Sequence, residues 1–173
     1  MLYRDILDDV FSVRKKEIIE YTNDLLEYYI DNCDINPENL CETNRIKIID
    51  EVNEDLNILC FLAQRGSYSI TVVNNLSDTK RNFYIYREFV LCLIDKYVKQ
   101  FIAVDYKILN NKVIDRVVRY DKKVSHLDLY INCMANVLLE YELLNKKKEK
   151  EKTKIHNKNK RLLRIVKGWC EEE

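Results

Sequence analysis

Glycine and proline are nearly missing from this chain. Its 173 residues include two Gly and one Pro, where about 7% and 5% are usual. An all-β fold needs turn residues every 8–12 positions or so, so the composition excludes one and leaves helices joined by polar loops. Histidine is equally scarce: His126 and His156 are the only two, and neither lies in a catalytic or metal-binding motif. Two glycines cannot form a G-x-G-x-x-G or Walker phosphate loop. The six cysteines, Cys33, Cys41, Cys60, Cys92, Cys133 and Cys170, contain no C-x-x-C pair. Zinc asks for about four ligands at characteristic spacing, and Cys33 with Cys41 is a poor beginning. The pairs Glu51/Asp55 and Glu54/Asp55 are what any solvated helix face carries. These absences predict no enzyme, no metal and no cofactor. No apolar run reaches the ~20 residues of a membrane span, and the acidic N-terminus lacks the apolar core of a secretory signal. Scattered cysteines then fit reduced packing residues, and the expectation is a soluble, cytoplasmic protein.

What is present is a long apolar stretch, Phe83 to Val104. Fourteen of its first 20 positions are Phe, Tyr, Ile, Val, Leu or Cys. Phe83, Tyr86, Phe89/Val90, Leu93/Ile94, Tyr97/Val98 and Phe101/Ile102 recur every three to four residues, the spacing of a wide apolar helix face. Arg87, Glu88, Asp95, Lys96 and Lys99 fill the gaps. Phe89 to Ile94 carries no charge, which requires cover from more than one side. The stretch is expected to be the central helix of an all-α, single-domain bundle of about seven helices.

Before it, residues 2–31 predict one long helix with a weak point, or two helices meeting near Ser12 to Lys16. Asn32 to Asn39 is a loop in which Pro37 can open a helix at its first position. A helix is expected to follow to about Gln64, with Ile49, Val52, Leu56, Leu59 and Ala63 on one stripe and Gly66 as a left-handed cap. In SYSITVV the alternation of Tyr68, Ile70 and Val72 suits a strand, but a lone strand has no partner, so short helical turns are preferred. Ser77 or Asp78 caps the central helix. Tyr106, Leu109, Val113, Val117 and Tyr120 mark another helix. Ser125 and Asp128 then form an S-x-x-D start for the cleanest amphipathic series, Leu127, Ile131, Met134, Leu138 and Tyr141.

Charge is balanced overall but unevenly placed. Residues 1–78 hold 16 Asp/Glu against 7 Lys/Arg, and residues 79–173 hold 13 against 22. This arises either from two halves of one fold attracting each other or from a basic partner-binding surface. From Lys146 to Arg161, nine of sixteen residues are basic. The organisation expected is a bundle over 1–145 and a basic tract with a short apolar end over 146–173. That tract could hold phosphates or be a solvated tail, and it lacks the interleaved aromatics of single-strand binders. Abundant Lys, Asn, Ile and Tyr also fit an A/T-rich genome, such as that of many large DNA viruses or parasites.

The text NEDLNILCFLAQRGSYSITVVNNL, from Asn53 to Leu76, resembles poxvirus members of the Bcl-2 family of apoptosis regulators. In those proteins an acidic helix leads through a polar turn into short helices and a central hairpin, which would begin here at Asp78. The family's Asn-Trp-Gly-Arg motif is absent, with Arg81 in DTKRN at most a remnant, and LLRIVKGWCEEE stands where an anchor would be. The resemblance implies a viral host modulator that blocks apoptosis or innate immune signalling by helix-in-groove recognition. It implies a groove lined by Leu56, Leu59, Tyr68, Ile70, Val73 and Phe89, with Arg81 pairing an acidic residue of the ligand helix. Core packing is the alternative role for each. The partners implied are a host protein with an amphipathic Bcl-homology-3 helix or an immune signalling protein, with a homodimer as a further arrangement. The competing reading is a nucleic-acid-binding or assembly protein acting through the basic C-terminal half.

Overall fold

Residues 3–51, 60–64, 67–73, 76–101, 125–147 and 149–168 are described by a computed structural model. Two helices open the chain, α1 (Tyr3–Val13) and α2 (Lys15–Asn32), and they meet at Arg14 inside the polar stretch. That junction is exposed: Val13 is 80% exposed, while Leu7, Phe11, Ile18, Ile19 and Leu26 on either side are in the core. Pro37 then sits at the start of α3 (Pro37–Thr43), where its missing N–H is no loss. The Asn36 side chain caps that helix by accepting from the Asn39 N–H at 2.8 Å. Arg45 takes φ 57°, a left-handed turn that redirects the chain out of α3.

That turn leads into strand β1 (Ile46–Glu51), not into the expected helix. The stretch before Gln64 forms β2 (Cys60–Gln64), and SYSITVV forms β3 (Ser67–Val73) instead of helical turns. The three build one sheet in the order β1-β3-β2. β1 runs parallel to β3 with Ile46 opposite Tyr68 and Ile48 opposite Ile70. β2 runs antiparallel to β3 with Phe61 opposite Ile70. The β3 segment therefore has two partners, both supplied by residues expected to be helical, and its β-branched side chains prefer the pleated surface. Ile70 and Val72 are fully buried. Residues 52–59, Gly66 and the helix expected over 106–120 lie outside the described residues.

Next comes α4 (Asp78–Phe101), the expected central helix. Every residue from Ile85 to Asp95 is buried. β3, α2 and α3 pack on it, and so does α5 (His126–Asn145). α5 starts with a complete capping box between Ser125 and Asp128, as the S-x-x-D signal predicts. The last described helix, α6 (Glu149–Gly168), rests on α5 and α2. The described residues are thus mostly helical, six helices with one small sheet. None of these helices is long and apolar enough to cross a membrane.

Candidate functional site

Arg81 lies in the first turn of α4, and its backbone N–H donates to the Ser77 carbonyl at 2.8 Å. Its guanidinium grips Asp50 at the end of β1 with two bonds, Nε to Oδ1 at 3.1 Å and Nη2 to Oδ2 at 3.3 Å. Nη1 donates to Glu38 of α3 at 3.3 Å. Desolvation opposes that charge, but the bonds and charges of Asp50 and Glu38 outweigh it and hold the pKa above its ordinary value. Arg81 borders an open cleft of about 560 Å³, walled also by Asp34, Asn36, Asp78, Asn82 and Lys146. Glu142 in the same wall is 5% exposed. It accepts from Asn82 at 2.8 Å, from the Tyr86 hydroxyl at 2.8 Å and from Lys146 at 3.1 Å. Most of the cleft's charges are therefore satisfied by one another. They join α3, β1, α4 and α5 at one end of the fold.

The other residues expected to line a groove are distributed differently. Tyr68, Ile70 and Phe89 belong to one buried core, at 7%, 0% and 0% exposure. Val73 ends β3, opposite Glu51 of β1. Leu56 and Leu59 lie outside the described residues.

The interior of α4 contains charges that the periodicity alone reads as solvated. Arg87 donates to Glu88 at 2.7 Å, to Asn132 at 2.7 Å and to Asp128 at 2.5 Å. Asp95 is fully buried and accepts from the Tyr68 hydroxyl at 2.7 Å and from Lys99 at 2.6 Å. A zinc hydrolase of the H-E-x-x-H type needs histidines at i and i+4 around its glutamate. Glu88 has Arg87 and Leu91 at those positions, a cation and an alkyl chain, neither able to ligate a metal. Among the described residues no group of three or more His, Cys, Asp or Glu could hold one. A sequence signal for this cluster did exist: Glu88 and Asp95 lie two turns apart on α4, beside the uncharged Phe89–Ile94. Asp128 and Asn132 lie one turn apart on α5.

The basic tract shows the most directional surface. On α6, Leu163 and Val166 are buried and Ile155 is half-buried. Lys154, Lys158 and Arg161 recur on the opposite side at helical spacing, with Arg164 beside them, and all four are exposed. Lys154, Arg161 and Arg164 make no ion pair among the described residues, while Lys158 reaches Glu140 at 3.4 Å. At 1.5 Å per residue the four span about 15 Å. His156 faces Tyr141, whose hydroxyl lies 3.1 Å from its Nδ1. Burial raises the Tyr141 pKa to about 12, keeping that hydroxyl neutral.

Comparison with protein-family models, curated proteins and solved structures gives no match for this chain.

Proposed function

We propose that this chain is a binding protein, not an enzyme, and that its partner is nucleic acid, held by phosphate contacts to the outer face of α6. One observation carries the reading. α6 seats its apolar side on α2 and α5 and leaves Lys154, Lys158, Arg161 and Arg164 together on the exposed side. Cations aligned along one helix face match a polyanion whose charges repeat every few ångströms along its axis. The absence of aromatics among them favours backbone contact over base stacking.

A 20-base-pair duplex, titrated by fluorescence anisotropy, tests this. Four phosphate contacts predict a slope of log affinity against log salt near −3.6, or a loss of about 150-fold between 50 and 200 mM salt. The double reversal Lys154→Glu with Arg161→Glu is expected to remove binding and leave the circular dichroism unchanged. No binding at low salt, or binding indifferent to salt, sinks the proposal.

A second reading is a viral Bcl-2-like host modulator acting on an apoptotic or immune signalling protein. It is favoured by a central apolar helix wrapped by amphipathic ones; Arg81 borders an open cleft, where a ligand's acidic residue would have to displace Asp50 or Glu38. Calorimetric titration with a panel of Bcl-homology-3 peptides tests it. Micromolar or tighter affinity, about −8 kcal/mol or better, supports it. No heat across the panel from folded protein ends its apoptosis-blocking form.

A further inference from the structure

The side of α6 that faces the body has a flaw at its centre. Asn159 lies between the apolar contacts of Ile155 and Leu163, one turn from each, and is fully buried. Among the described residues, neither Nδ2 nor Oδ1 of its amide has a hydrogen-bond partner. A buried amide normally bonds at both atoms, and leaving them unmade weakens the docked state relative to a helix lifted into water, where both are hydrated. Two ion pairs flank this position, Lys158 with Glu140 of α5 at 3.4 Å and Lys160 with Asp31 of α2 at 3.7 Å. Both are substantially exposed. The bonds that position α6 on the body therefore use cations from the helix that phosphates would also seek.

We propose that α6 is a releasable arm. Asn159 keeps its seat weak, and a polyphosphate backbone draws Lys158 and Lys160 away from Glu140 and Asp31, lifting the helix off α2 and α5. This deepens the reading of α6 as the nucleic-acid surface and rests on it. The device makes Glu140 and Asp31 built-in competitors of the ligand: they occupy the same cations until phosphates outcompete them. It also explains why a buried position at the middle of an apolar seam carries Asn, a residue that costs the seat stability.

Hydrogen exchange on the full chain, with and without a 20-base-pair duplex, tests the two parts separately. Without duplex, α6 amides over 155–166 are expected to exchange faster than those of α4, as a locally opening unit does. Asn159→Leu is expected to slow them by about tenfold or more, the effect of removing stranded polar atoms. Asn159→Ala removes the same atoms without adding bulk and should slow them in the same direction. If α6 is as protected as α4 in the wild type, or neither variant slows it, the weak seat is refuted whatever the duplex does. With duplex bound, α6 exchange is expected to rise, and Glu140→Gln with Asp31→Asn should tighten binding by about threefold or more. Binding that leaves α6 protection unchanged refutes release while leaving the nucleic-acid surface intact. No binding in any variant refutes that surface, and release with it.

Discussion

Asp95 shows how burial changes a single carboxyl. Desolvation pushes its pKa up, and the nearby charges and bond of Lys99, with Lys96, pull it down less strongly, so it stays above the ordinary carboxylate value. A carboxyl whose folded pKa exceeds its unfolded one binds its proton more tightly in the native state. Its contribution to stability is then complete in acid and is lost as pH rises through the folded value. Asp95→Asn, which cannot titrate, should therefore gain on the wild type as pH rises from 4 to 7 in urea unfolding. A difference independent of pH would place Asp95 in a solvated setting. Cysteine chemistry follows the same physics. Burial raises the Cys41 pKa to about 12 and pushes that of fully buried Cys92 well up, so their thiolates are rare at neutral pH. Mass spectrometry after native alkylation should find Cys41 and Cys92 unmodified and half-buried Cys33 labelled. Labelling of Cys92 ahead of Cys33 would contradict the packing of α4.

At the scale of elements, α4 holds the fold through two kinds of interaction. Leu93 is 2% exposed, and Leu93→Ala should cost about 2–5 kcal/mol, the usual result of opening a cavity in a core. A loss below about 1 kcal/mol would move that face to the surface. Arg87, 5% exposed, ties α4 to α5 through Asp128 and Asn132. Arg87→Met should destabilise by about 3–5 kcal/mol, because it removes one member of a buried charge cluster. Ser125→Ala at the α5 capping box is a milder change, about 1 kcal/mol. Chemical denaturation should find Ser125→Ala the least harmful of the three, with Arg87→Met and Leu93→Ala both clearly more severe.

For the whole molecule, the uneven charge of the two halves becomes specific contacts. Arg81 with Asp50, Arg81 with Glu38 and Lys160 with Asp31 all join the acidic first half to the basic second half. All three are exposed enough for salt to screen them, so each contributes little. Raising NaCl from 50 to 500 mM is expected to lower the melting temperature by about 2–4 °C. A rise would mean that repulsion among the lysines of α6 outweighs these contacts. Lys154, Arg161 and Arg164 remain unpaired among the described residues, so attraction between the halves does not use the whole basic excess. The face they form is the molecule's candidate for a partner.

What the amino-acid sequence determined by itself was local. The period of α4, the break at Arg14, the Pro37 start of α3 and the Ser125 box of α5 follow from side-chain spacing and backbone chemistry within a few residues. These features were legible because helices are stabilised by neighbours three and four positions apart. The candidate face was legible as a basic run, since Lys and Arg are exposed almost by default. The sheet was not legible, because Ile46 and Tyr68 must come from far apart in the chain to pair. A strand's partners cannot be read from its own text, and β3 looked partnerless for that reason. Spacing places Glu88 and Asp95 beside the uncharged Phe89–Ile94 but does not say what meets them, since a charge enters a core only where its counterpart is brought to it. Asp128, Asn132 and Tyr68 arrive from α5 and β3. Only the tertiary structure decided those encounters, along with which side of α6 is turned to solvent and which side holds Asn159.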